Sequence, residues 1–169
     1  MRILAASLIA AMISILPLRA QKTGASIDPP ADARVVLQVS GDGVQIYRCT
    51  DTTAGLKWVF EGPDAKLLDA SGKTIGTHFA GPTWRLSDGS QVQGEMIANR
   101  PAPQADSVPW LLLRAKAGTA TGGLADVQFI RRTDTHGGVS PESGCQTPSE
   151  AGQTARIPYT ATYTFYAEK

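Results

Sequence analysis

Apolar and polar residues alternate along most of this chain with the two-residue period of half-buried strands, and Gly, Pro, Asn and Asp punctuate the runs. The last segment alternates most cleanly: Ile157, Tyr159, Ala161, Tyr163, Phe165 and Ala167 share one face, while Thr160, Thr162 and Thr164 share the other. Residues 35–39 form the first β-rich run, Gly41-Asp42-Gly43 reads as a turn, and 44–49 alternate into a second strand. Residues 56–60 read as a third strand, ended by Gly62-Pro63, with 65–69 as a further short one. Trp110-Leu111-Leu112-Leu113 is continuously apolar, which predicts a central strand covered on both faces. Residues 118–123 turn the chain, and 124–133 return as a strand ending in Arg131-Arg132.

The densest pattern lies in 76–90. Glycines and Pro82 predict a turn carrying His78, followed by a strand in which Thr83, Arg85 and Ser87 alternate with Trp84 and Leu86. A two-residue loop at Asp88-Gly89 would set Trp84 against Gln93. A three-residue loop, Ser87-Asp88-Gly89, instead sets Trp84 against Val92 and Leu86 against Ser90, and puts Gly89 at the left-handed position. The second register keeps apolar with apolar and is the one expected.

No window of the mature chain predicts an amphipathic helix, so the fold class is all-β: a single antiparallel β-sandwich or barrel with long loops and one disulfide. Residues 34–169 form that domain, and 21–33, polar and carrying Pro29-Pro30, are a flexible lead-in. Met1-Arg2, the apolar run 3–16 and the small Ala20 make 1–20 a signal peptide, too short for a comfortable membrane span. Its removal leaves no stable membrane anchor, and no cysteine follows the cleavage point to take a lipid. Trp58, Trp84 and Trp110 are evenly spaced, but their flanks do not match, so no repeat is read from them.

Charge excludes one broad class. Cleavage removes Arg2 and Arg19, leaving 14 basic against 15 acidic side chains, without the basic excess of a nucleic-acid binder. The two cysteines, Cys49 and Cys145, are expected to pair in an oxidising compartment, periplasmic or extracellular. Neither Cys-x-x-Cys nor His-x-x-x-His spacing occurs, so no metal is expected. Ser71-Gly72-Lys73-Thr74 resembles the tail of a phosphate loop, but Leu67 stands where that loop needs its first glycine; it reads as a hairpin turn. No cofactor is implied.

Candidate chemistry centres on His78, whose imidazole is suited to acid/base work but is also suited to bracing a turn through a neighbouring carbonyl. His136 lies in a Gly-rich loop and reads as solvated. Ser90, His78 and Asp88 are close in sequence, yet no Gly-x-Ser-x-Gly elbow accompanies them, and Asp88 suits a turn former. Arg131 and Arg132, with His78 and Trp84, could form an anion or sugar site: guanidinium forks hold carboxylates and an indole stacks on a ring.

Several segments in order carry a family resemblance. They are Gly43-Val44-Gln45-Ile46-Tyr47-Arg48-Cys49, Gly76-Thr77-His78 with Gly81-Pro82-Thr83-Trp84, Asp88-Gly89-Ser90, and Pro109-Trp110-Leu111-Leu112-Leu113. Ile130-Arg131-Arg132-Thr133-Asp134-Thr135 with Gly137-Gly138, then Pro141, Cys145 and Pro158-Tyr159-Thr160-Ala161 complete the set. Together they resemble the domain-of-unknown-function family numbered 3455, made of exported microbial proteins. The resemblance spans nearly the whole mature chain and implies a single secreted domain, without supplying catalytic residues. Dehydrogenase labels carried by some members do not transfer, because no Gly-x-Gly-x-x-Gly follows a strand.

The leading expectation is an exported, non-catalytic β domain. It would bind a carbohydrate, a small anionic ligand or an envelope partner through the His78–Trp84 region and the loop 137–145. A hydrolase or lyase using His78 and a purely structural surface protein are the alternatives.

Overall fold

In the computed structural model, which describes residues 26–168, alternation closes into a ring. Eight antiparallel strands follow one another round a barrel, each paired with its sequence neighbours, and the last pairs with the first. They are β1 (Arg34–Thr52), β2 (Gly55–Leu68), β3 (Thr74–Phe79), β4 (Thr83–Leu86), β5 (Gln91–Arg100), β6 (Trp110–Ala115), β7 (Phe129–Gly137) and β8 (Thr154–Ala167). Closure removes exposed sheet edges, and of the expected sandwich or barrel it is the barrel that forms. Segment 1–20, expected to be a signal peptide, lies outside the described residues.

Cross-strand register assigns the faces. The inward ring through the middle of the barrel joins Ala65 to His78, His78 to Trp84, Trp84 to Val92, Ile130 to Phe165, and Tyr163 to Val39. Outward positions carry Asp42, Arg48, Asp64, Lys66 and Arg85, the reverse of the apolar lipid-facing band of membrane barrels. Among the described residues no helix is long and apolar enough to cross a membrane.

Three expected boundaries give way. Gly41-Asp42-Gly43 is not a turn: β1 runs straight through it, paired on both sides. The glycines are there for close approach, since a Cβ at Gly41 would lie 2.6 Å from the Tyr163 ring. Gly62-Pro63 does not end β2 either. A register shift places Ile46 opposite Gly62 and Tyr47 opposite Phe60, with Glu61 as the bulged residue, and Pro63 is tolerated opposite Gln45 because the β3 pairing begins only at Asp64. Finally, Leu124 does not begin a strand. It ends a short 3₁₀ turn, Gly122–Leu124, and with Val127 plugs one end of the barrel before β7 starts at Phe129.

Two expectations hold in detail. Trp84 pairs with Val92, Leu86 N–H donates to Ser90 O at 2.8 Å, and Gly89 has φ +89°, which makes Ser87-Asp88-Gly89 the three-residue loop. Cys49 and Cys145 form a disulfide. It ties the loop 138–153 to β1 at the barrel end opposite the plug.

The described part of the lead-in, 26–33, has no regular structure but lies along the outside of the barrel. Ile27 is 1% exposed, clustered with Leu112, Phe129 and Tyr166. That contact covers the outer face of β6 and explains its continuous apolar run.

Candidate functional site

The barrel interior is packed towards one end and open above it. Towards the plugged end Val39, Leu67, Val92, Leu113, Leu124, Val127, Ile130 and Phe165 pack into one core. Above them a cavity of about 450 Å³ opens between β2, the β3–β4 turn and β5, a size ordinary for small-molecule sites. Phe60, Pro63, Pro82, Met96, Leu111 and Leu113 form the apolar part of its walls, and Gln45, Glu61, Glu95, Lys116 and Arg132 the polar part. Phe60 and Met96 are half exposed at the rim.

His78 lies on strand β3, not in the turn, which is formed by Ala80, Gly81 and Pro82. Its Nδ1–H donates to Thr83 O at 2.9 Å, so the neutral ring keeps Nε2 as an acceptor. The ring stacks on Trp84 with centroids 4.4 Å apart and meets the edge of Tyr163 at 4.9 Å. Burial, above all, drives its pKa down to about 3; the Thr83 carbonyl opposes this and the Arg132 charge reinforces it. At neutral pH His78 is an uncharged, packed ring.

Arg132 supplies the charge. Residue parity on β7 turns it inward between Leu111 and Tyr163, where Nε and Nη2 donate to Pro109 O at 3.1 and 2.8 Å. None of the ion pairs among the described residues includes it. Its field reaches Tyr47, Tyr159 and Tyr163, partly offsetting the burial that raises each of these phenols. Tyr159 and Tyr163 share a hydroxyl–hydroxyl bond of 3.2 Å.

Two donors in the cavity wall are unsatisfied. Gln45 is 2% exposed with Nε2 unpartnered, and Trp84 is 1% exposed with Nε1 unpartnered. A buried donor without an acceptor costs about 1–3 kcal/mol, so their gathering around one cavity needs an explanation.

Of the residues singled out in the sequence, the structure therefore brings together His78, Trp84 and Arg132. Arg131 stands apart. As the next residue on a strand it faces outward, where Nη1 donates to Asp28 at 3.1 Å and the guanidinium lies 5.9 Å from the Tyr166 ring. Ser90 and Asp88 do not converge on His78 either: the Asp88 carboxylate accepts the Ser90 N–H, and Ser90 Oγ accepts the Gly123 N–H. The loop after Gly137 does not line the cavity, but its Gly138 backbone lies against Gln45, Tyr159 and Val108, and Tyr47 donates to Gly138 O at 2.6 Å. Gln45 and Tyr163 were missed as site residues, although each shares the inward parity of its strand.

The family described as "Protein of unknown function (DUF3455)" matches residues 30–167, all eight strands. The chain belongs to the DUF3455 family. No curated protein and no solved structure matches this DUF3455 chain. Family membership thus agrees with the single β domain, and the chemistry of this DUF3455 site rests on its own residues.

Proposed function

We propose that the protein is an exported, non-catalytic barrel that holds a small ligand in its half-open interior. The observation that carries this reading is the grouping, in the walls of one largely apolar cavity, of Gln45 Nε2 and Trp84 Nε1, donors without acceptors, with Arg132, a guanidinium without a carboxylate partner among the described residues. Ligand acceptors would satisfy what the barrel leaves open. The Cys49–Cys145 bridge and the leader-like residues 1–20 support export.

Catalysis by His78 is disfavoured by its surroundings. A ring held neutral down to about pH 3, stacked on Trp84 and bonded to a backbone carbonyl, is poorly matched to proton transfer near neutrality. Sugar stacking on Trp84 is disfavoured too, because that indole is buried and His78 occupies one of its faces.

The test is a thermal-shift and calorimetric screen of small acids, alcohols and sugars on the mature protein, beside an activity screen on esters and polysaccharides. Saturable one-to-one binding that Met96→Trp at the rim blocks is expected. Turnover of any substrate that His78→Asn abolishes at unchanged melting temperature would replace this reading with an enzyme.

A further inference from the structure

The cavity also constrains what enters it, and this step rests on the binding reading above. Among the described residues, the unsatisfied side-chain groups in the cavity wall are donors, and the charge that residue parity turns inward there is Arg132. Pro109 O takes Nε and Nη2, and among the described residues Nη1 takes no carboxylate or carbonyl, so it can donate to a ligand beside Tyr163. Tyr163 is its cross-strand neighbour, and Gln45 lines the same cavity. Together these groups suit an oxyanion, which accepts several donors at once and neutralises a guanidinium.

The remaining wall asks for something different. Phe60, Pro82 and Leu111 offer no donor or acceptor side chain, and the Met96 thioether, a weak acceptor, already takes Asn99 Nδ2. At the opening the charges balance: Glu61 is already bonded to Arg48, and Glu95 and Lys116 are of opposite sign. A second negative charge on the ligand would find no uncompensated cation there. The volume, on the order of 15 water molecules, admits a body of comparable size.

We propose that the ligand is an amphipathic monocarboxylate, its head group at Arg132, Tyr163 and Gln45 and its aliphatic or aromatic body along Phe60, Pro82, Met96 and Leu111 towards the mouth. The carboxylate enters first and the neutral end stays at the rim. A single inward charge sets the preference for one carboxylate over two.

Calorimetric titration of the mature protein with octanoate, methyl octanoate and octanedioate tests this. Octanoate should bind one-to-one, and the ester and the diacid each about tenfold or more weaker. Arg132→Gln should weaken octanoate about tenfold or more while the ester changes by less than about twofold; Arg132→Lys, a charge without the fork, should fall between. Should the glutamine variant fail to fold, the acid–ester–diacid order in the wild-type protein decides. Equal binding of acid and ester, blocked by Met96→Trp, would overturn the head-group assignment and leave the pocket standing. Binding of none of the three, with Met96→Trp indistinguishable from wild type across the wider screen, would remove the pocket as well.

Discussion

The rings of His78 and Trp84 lie within 9° of parallel, directly opposite each other in the β3–β4 register. Cross-strand pairing makes this contact local, yet it sits at the centre of the barrel with Tyr163 against both rings at 4.9 and 5.4 Å. Edge-to-face and offset contacts of this kind add to burial, so the cluster is a structural floor on which the cavity rests.

That floor is pH-sensitive. The ordinary imidazole value is 6.5, whereas folded His78 sits at about 3. As pH falls through this window the unfolded chain takes up a proton that the folded one refuses. Stability from the neutral ring is therefore complete above about pH 6.5 and is lost progressively towards pH 3, by an amount on the order of a few kcal/mol. Denaturant midpoints of the wild type should fall more steeply with acid than those of His78→Asn. At neutral pH, His78→Ala should cost about 1–3 kcal/mol, since Thr83 O loses its donor. Equal pH slopes for wild type and His78→Asn would show that the ring titrates freely.

How far the sequence could be read depended on whether a signal has one physical cause or two. Ser87-Asp88-Gly89 was legible because only one register keeps Trp84 against Val92 and gives Gly89 a positive φ. Glycine at 41 and 43 has two explanations, a turn or an aromatic ring and a neighbouring strand pressing close, and only the closed barrel selects the second. Arg131 and Arg132 could have been separated beforehand, because adjacent strand residues face opposite ways. Which of them faced in depended on the pairing of β7 with β8. Gln45 carried no signal beyond its parity with Val39, Gly41 and Tyr47.

The disulfide holds more than two sulfurs. Cys49 N–H donates to Gln153 O and Gly152 N–H to Cys49 O, each at 2.8 Å, so the bridge holds the middle of the loop 138–153 and two backbone bonds hold its end leading to β8. Protein purified without reductant and then unfolded should take up no alkylating agent. Reduction should lower stability by about 2–5 kcal/mol, with amides of 138–153 exchanging first. Two labelled cysteines in protein from an oxidising compartment would contradict the bridge.

The outer strap should behave as a separate module. Ile27→Ala opens the cluster of Leu112, Phe129 and Tyr166 and should cost about 2–5 kcal/mol in chemical denaturation. Asp28→Ala removes an exposed ion pair with Arg131 and an exposed hydrogen bond from the Ser26 hydroxyl, and should cost less than about 1 kcal/mol. Neither residue faces the cavity, so octanoate affinity should be unchanged in Asp28→Ala. A loss there would mean that Arg131 communicates with the interior.

Gly41 and Gly43 separate a flexible obstacle from a rigid one. A Cβ at Gly41 meets the edge of the Tyr163 ring at 2.6 Å, and a ring can tilt. At Gly43 the Cβ would run into the Asp64 carbonyl oxygen and come 2.5 Å from the Ala65 Cα, both backbone of the paired strand β2. Backbone cannot yield without breaking the ladder. Gly43→Ala should therefore destabilise by about 1–3 kcal/mol or more, and more than Gly41→Ala. Gly41→Ala should instead act on the site, because a tilted Tyr163 disturbs its 3.2 Å bond with Tyr159 and its contact with His78. Gly89→Ala, with open space around it but φ +89°, isolates backbone strain alone and should cost about 1 kcal/mol. Urea unfolding of the three variants gives the order directly. A Gly43→Ala protein as stable as wild type would contradict a β1 that runs unbroken through 41–43 against β2.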